Sequence, residues 1–338
     1  MREPAFWYRP RSPKSHLLSP LGALYGAIAA RRMARQGFDA GIPVLCVGNY
    51  HVGGAGKTPT VLALTKLLRE LGETPIVLSR GYGGRLRGPV MVDRNSHTAA
   101  DIGDEPLMMV RDVPVAVARD RLDGVALAKS QGATIILMDD GFQNPKLLKD
   151  ASLIVIDSER GLGNGRVFPA GPLRAPLKPQ LARTDALVLI GDGHAADHLA
   201  AEISARGKPV LRARLKPDAA VVAQLFGKRV LAFAGIGDPE RFFRTLRANN
   251  IEVARTRPFA DHHMFSQPEL AALAADAKAE QLTLVTTEKD LARLRGADGM
   301  PEGIVPFAVQ LEFDDPARLK QLISDHLYKA RERRFSKR

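Results

Sequence analysis

Eight consecutive residues, His51-Val52-Gly53-Gly54-Ala55-Gly56-Lys57-Thr58, carry the clearest chemistry in the chain. They follow the apolar run Val44-Leu45-Cys46-Val47 and open a helical stretch at Thr58. A glycine-rich turn between a buried strand and a helix lets backbone N–H groups converge on a phosphate, and the helix N-terminus adds its dipole. Lys57 supplies a point charge for the β- and γ-phosphates, and the Thr58 hydroxyl a ligand for Mg²⁺. Residues 51–58 are therefore expected to bind ATP as a P-loop, although His51 stands where the strict pattern has glycine. An ordinary glycine-rich turn would not combine this glycine density, the Gly-Lys-Thr ending and the strand-to-helix placement.

The other half of such a site is expected at a second strand end. Ile135-Ile136-Leu137-Met138-Asp139-Asp140 is an apolar run closed by two acids. With Thr58, Asp139 and Asp140 are the expected Mg²⁺ ligands; the bland alternative is a turn aspartate after a core strand. Asp157, after Leu153-Ile154-Val155-Ile156, is a weaker candidate of the same kind. Val52 stands where a ParA-like ATPase carries its extra lysine, and Thr287-Glu288-Lys289-Asp290 lacks the Lys-x-Asp spacing of a guanine reader.

A phosphoryl acceptor needs a base and positive charge near it. Three segments have suitable side chains: Arg80-Gly81-Tyr82-Gly83, Gly103-Asp104-Glu105-Pro106 and Asp261-His262-His263. Each alone reads equally well as a turn, a solvated arginine or a capped histidine, and spacing does not join them into one site.

Taken together these segments resemble the tetraacyldisaccharide 4′-kinase family of the lipid A pathway over nearly the whole chain. The resemblance rests on Gly48-Asn49 with the Gly53–Pro59 loop, Ser79-Arg80-Gly81-Tyr82-Gly83, Gly103-Asp104-Glu105-Pro106 and Asp139-Asp140-Gly141-Phe142-Gln143. It extends through Pro169-Ala170-Gly171-Pro172-Leu173-Arg174, Phe259-Ala260-Asp261-His262-His263 and Thr287-Glu288-Lys289-Asp290. It implies transfer of the ATP γ-phosphate to the 4′-hydroxyl of a tetraacylated glucosamine disaccharide 1-phosphate. By the same resemblance Asp104 activates the acceptor hydroxyl, His262 is its partner, and Arg80, Tyr82 and Gln143 line the acceptor or phosphate side. Arg121 would meet the anionic group of the disaccharide. Two positions depart from the family pattern: Asn144, where many members have His, and Ala175, where many have Glu.

The elements that must position these residues alternate in type. Apolar runs at 43–48, 75–79, 113–117, 134–138, 153–156, 186–190, 210–213, 230–234, 283–286 and 304–308 read as strands. Helices are expected over 58–71, 121–131, 239–249, 268–280 and 316–334. This implies an α/β chain: a P-loop NTPase-like parallel sheet with covering helices, plus a second smaller α/β lobe. The expected division is an N-terminal membrane-associating segment 1–37, a kinase core 38–216, a second lobe 217–315 and a basic C-terminal helix 316–338.

With 338 residues, 45% hydrophobic and 25% charged, the chain is neither disordered nor fibrous. Its lone cysteine, Cys46, rules out an intramolecular disulfide and fits a reducing compartment. The net charge of +12 is concentrated at the ends. Residues 1–37 hold seven basic residues against one acid, and residues 328–338 hold six against one. The body is nearly neutral, so the partner implied is an anionic surface. Trp7, Tyr8 and the uncharged run 17–30 favour lipid over nucleic acid, peripheral to or anchored at the cytoplasmic face of the bacterial inner membrane. The run is shorter than the ~20 residues that cross a bilayer. A non-kinase alternative is a P-loop NTPase switch that docks on membrane or nucleic acid through these ends.

Overall fold

A computed structural model describes residues 4–9, 12–295 and 299–336. Arg2, Glu3, Arg11, Lys337 and Arg338, counted above among the charged ends, lie outside them.

The strands are β1 Val44–Gly48, β2 Pro75–Ser79, β3 Val90–Met91, β4 Val115–Val117, β5 Ile135–Asp139, β6 Ala151–Asp157 and β7 Ala186–Ile190. They continue as β8 Val210–Pro217, β9 Arg229–Ala234, β10 Glu252–Pro258, β11 Thr283–Thr287, β12 Val305–Phe307 and β13 Val309–Phe313. Nine form one sheet in the order β13-β8-β7-β6-β1-β5-β2-β4-β3. Its seven inner strands are parallel, and only the edge strands β13 and β3 run antiparallel to their neighbours. Every residue of β1, β2, β5, β6 and β7 is buried, as unbroken apolar runs require when helices cover both faces.

Strand order reverses around β1, which has β5 on one side and β6 on the other. In open α/β sheets the crevice at the carboxyl ends of such strands is where ligands bind. The loops after β1, β2 and β5 carry residues 51–58, 80–84 and 140–143 to that edge. The helix Lys57–Glu70 lays Val61, Leu64 and Leu68 on the sheet. The C-terminal helix Pro316–Phe335 covers the same face with Leu319, Ile323 and Leu327.

A second, all-parallel sheet, β10-β9-β11-β12, has its own apolar clusters. The segment expected as the second lobe, 217–315, returns to the first sheet before its end: β13 pairs with β8. Strands β3, β10 and β13 escape the sequence reading because they are edges. β10 has no fully buried residue, and β3 is two residues long.

The two basic ends differ, and this corrects an expectation. Arg331 pairs with the buried Glu73 at 2.6 Å, Arg333 with Asp150 at 2.5 Å, and Arg334 with both Asp39 and Asp150 at 2.8 and 3.0 Å. These arginines pin the last helix to its own domain, so their charge is already matched by its acids. Trp7 is likewise not an interfacial aromatic: it is buried, with its indole N–H donated to the Pro169 carbonyl at 3.1 Å. By contrast Lys14, Arg31, Arg32 and Arg35 are exposed, with no ion pair among the described residues. Leu17, Leu21, Leu24, Tyr25 and Ile28 form an exposed apolar stripe along the helix Ser19–Met33 and the residue pair preceding it. Among the described residues no helix is long and apolar enough to cross a membrane.

Candidate active site

The phosphate loop is shaped by its glycines and braced from outside. Gly56, at the N-cap of the helix Lys57–Glu70, has φ +85°, and a Cβ there would lie 2.5 Å from Ile190 Cδ1. Only glycine holds that corner without strain. Asn49 donates to the Gly53 carbonyl at 3.1 Å, and Gln143 donates to the Asn49 carbonyl at 2.7 Å. Gln143 also donates to Gln180 Oε1 at 2.9 Å, so its amide braces the loop instead of facing the acceptor. His51 is buried, and burial holds its imidazole down to about 4, hence neutral. Its carbonyl accepts from Arg174 Nε at 3.0 Å. His51 thus contributes main chain and packing to the loop.

Lys57 and Thr58 are buried at the loop's end. Lys57 Nζ lies 3.8 Å from Asp140 Oδ1, and Arg174 Nη1 donates to the same oxygen at 2.6 Å. Asp140 sits in the left-handed region with φ 49°. Burial opposes its charge, but Lys57 and Arg174 overcome this and hold the carboxyl well below its usual range. Asp139 is the opposite case. Burial, then the charges of Glu105 and Asp140, push its carboxyl up to about 7. Its Oδ2 accepts from Ser79 Oγ at 3.4 Å, while its Oδ1 is buried without a partner. A buried carboxylate oxygen left unmatched beside a phosphate loop suits a hard divalent cation. Of the three expected ligands, Asp139 has the free oxygen that fits Mg²⁺, while Asp140 Oδ1 is engaged by Arg174 and Lys57. Asp157 does not fit: its carboxylate pairs with Arg241 and accepts the Glu159 N–H at 2.9 Å. Ala175 is fully buried and offers no ligand.

The acceptor side is built where the two sheets' loops meet. Gly103 has φ +91°, and a Cβ there would lie 2.4 Å from the Tyr82 carbonyl oxygen. This close packing places Asp104, first residue of the helix Asp104–Met109, beside the 80–84 loop. Asp104 is 5% exposed. Its Oδ2 receives His262 Nδ1 at 3.0 Å and Arg293 Nε at 3.0 Å. Its Oδ1 receives only the Glu105 N–H, at 2.9 Å. Burial works against the charge, yet His262, Lys289 and Arg293 together hold the carboxyl far below its ordinary value. The hydrogen bond to Asp104 in turn raises the His262 imidazole above its usual value. His262 is held in the left-handed region, φ 57°, and its ring lies 5.8 Å from that of Tyr82.

The structure therefore brings together Asp104, His262 and Tyr82, with Arg80, exposed and without an ion pair among the described residues, on the same loop as Tyr82. It does not bring Arg121 to that surface. Arg121 is 2% exposed and donates to the Ala118 carbonyl at 2.7 Å; burial pushes its guanidinium below the usual value, and the charge of Asp139 only partly offsets this. The sequence reading assigned no role to Lys289, Arg293 or Arg174. Lys289 pairs with Glu105, and Arg111 with Glu288 at 2.7 Å, so the helix Glu288–Leu294 docks on the first lobe through charge. The only prior signal was that residues 287–290 and 169–174 belong to segments carrying the resemblance.

The model of the family described as tetraacyldisaccharide-1-P 4′-kinase (LpxK) matches residues 14–328. A tetraacyldisaccharide 4′-kinase of Bradyrhizobium diazoefficiens is 85% identical over 338 residues, covering 100% of both chains. One from Nitrobacter winogradskyi is 66% identical, covering 98% of this chain and 99% of the relative. The crystal structure of LpxK from Aquifex aeolicus in complex with ATP superimposes with a TM-score of 0.72 at 27% identity, covering 93% of this chain and 99% of that one. The chain belongs to the tetraacyldisaccharide-1-P 4′-kinase family.

Proposed function

We propose that this chain transfers the γ-phosphoryl of ATP to the 4′-hydroxyl of a tetraacyldisaccharide 1-phosphate, giving lipid IVA. The observation that carries the residue assignment is the buried Asp104 carboxylate, bound on Oδ2 by His262 and Arg293 from the second lobe, while Oδ1 takes the Glu105 N–H and keeps a lone pair for the acceptor. The loop amides and Lys57 hold the phosphates, Thr58, Asp139 and Asp140 hold Mg²⁺, and Arg80 and Tyr82 face the acceptor. Mg²⁺ held by those residues would neutralise the charge of the transferring phosphoryl group.

The acceptor hydroxyl donates to Asp104 Oδ1; as the new O–P bond forms, the bond from the γ-phosphorus to the β–γ bridging oxygen breaks and releases ADP, and the hydroxyl proton passes to that carboxylate. A phosphoryl transition state is loose, with little bonding to the attacking oxygen, so a weakly basic carboxylate suffices if it is well placed. The bond to Asp104 raises the His262 imidazole above its usual value, which favours the cation that balances the carboxylate until it takes the proton. The junction buries Asp104 and excludes water that would compete as acceptor.

The acyl chains of the acceptor cannot leave a bilayer cheaply, at ~0.8 kcal/mol per CH₂. The apolar stripe Leu17, Leu21, Leu24, Tyr25 and Ile28, with Arg31, Arg32 and Arg35 at its end, supports peripheral docking on an anionic leaflet, the cytoplasmic face of the inner membrane. The direct test supplies ATP, Mg²⁺ and the tetraacyl disaccharide 1-phosphate. One added phosphate on the lipid is expected; ATP hydrolysis that leaves the lipid unmodified would favour the NTPase switch instead.

A further inference from the structure

We infer that Arg293 is a positioning residue for the transfer: from the second lobe it fixes the Asp104 carboxylate so that Oδ1 is kept for the acceptor hydroxyl. This rests on the reading of Asp104 as the proton acceptor. Arg293 comes from the helix Glu288–Leu294, and its side chain is 2% exposed. Its Nη1 donates to the Gly235 carbonyl at 2.9 Å, the His263 carbonyl at 3.3 Å and Asp290 Oδ1 at 2.9 Å. Asp290 is itself fully buried and held by the Gly235 N–H at 3.0 Å and the Thr287 hydroxyl at 2.6 Å. The guanidinium is thus locked within the second lobe. Its Nε reaches across to Asp104 Oδ2.

A carboxylate on a single hydrogen bond rotates and exchanges its two oxygens. Asp104 takes the Glu105 N–H alone on Oδ1 and two donors from different elements on Oδ2, and this unequal hold keeps the two oxygens from exchanging. The planar guanidinium makes such a hold directional, which an ammonium cannot do. Its Nη2, on the same edge of the guanidinium as Nε, has no hydrogen-bond partner among the described residues, as is also true of Nε in Arg121 and Arg333. The base therefore comes into register only when the second lobe is docked. Donor binding on residues 51–58 has no such requirement.

The test uses the full chain, with single-turnover transfer of labelled phosphate to the lipid disaccharide at saturating ATP. Arg293→Gln is expected to lower the transfer rate by on the order of 10²-fold, the cost of misplacing a catalytic group, with KM for ATP unchanged. Arg293→Lys should recover part of the loss. In an Asp104→Asn background Arg293→Gln should cost nothing more, because both changes remove one function. Asp290→Asn with Arg293→Gln removes the buried charges as a pair, and it takes the place of the single variant if circular dichroism shows that one unfolded. Near-normal transfer by the folded variant would overturn the inference. So would a loss confined to KM for ATP, or losses that multiply in the Asp104→Asn background. If Asp104→Asn alone transfers at the normal rate, the assignment of the base fails instead, whatever Arg293 does.

Discussion

The donor half and the acceptor half of the site are built in opposite ways. The donor half is a single contiguous segment, residues 51–58, on the central strand of the large sheet, where backbone and helix dipole do much of the binding. The acceptor half comes from the 80–84 loop, Asp104, residues 261–263 and the helix Glu288–Leu294, spread over both lobes. The first is set by local sequence. The second exists only where two lobes meet, and side-chain ion pairs hold it. A contiguous site tolerates lobe movement, whereas a junction site is assembled by it.

Substitutions should separate these halves. Lys57→Ala removes the positive charge on the transferring phosphoryl and should lower kcat by on the order of 10³–10⁵-fold, weakening ATP binding as well. Normal transfer would break the donor assignment. Asp104→Asn should lower kcat by ~10²–10⁴-fold while ATP affinity, measured by calorimetry, stays near wild type. A loss confined to ATP affinity would place the base elsewhere. His262→Gln removes one hydrogen bond to a charged group and should cost roughly tenfold or more in kcat.

A pH series sharpens the contrast. The His262 imidazole, ordinarily near 6.5, is raised by its bond to Asp104. Its contribution to lobe docking is therefore complete below about 6.5 and is lost as pH rises through the raised value. Thermal unfolding should show that alkaline decline in the wild type and not in His262→Gln. The smallest effect on chemistry is expected at the exposed apolar stripe of the helix Ser19–Met33. Replacing Leu21, Leu24 and Ile28 together by Ser should cut partitioning onto anionic vesicles at least about tenfold, with ATP binding unchanged. Substituting Arg331, Arg333 and Arg334 should lower thermal stability and leave partitioning alone.

How much of this was legible in the sequence follows the same division. The buried strands are long apolar runs, and the phosphate loop is a contiguous pattern, so both could be read directly. Asp104 and His262 lie 158 positions apart and are joined by a hydrogen bond that spacing cannot reveal. Only the family resemblance connected them. Gln143 was read as lining the acceptor or phosphate side, and its amide braces the phosphate loop; Arg121 was read as meeting the anionic group of the disaccharide, and it is buried near Asp139. Side-chain direction at a loop or helix start is decided by tertiary packing. The C-terminal arginines teach the same lesson for charge: a count of basic residues does not say which ones face Glu73, Asp39 and Asp150.

The most direct measurement is a crystal structure of the full chain with a non-hydrolysable ATP analogue and the tetraacyl disaccharide 1-phosphate. The account predicts the triphosphate in the loop 51–58 with its γ-phosphate at Lys57, and the 4′-hydroxyl within hydrogen-bond distance of Asp104 Oδ1. Phosphates settled away from Lys57, or a 4′-hydroxyl held by some other side chain, would contradict it.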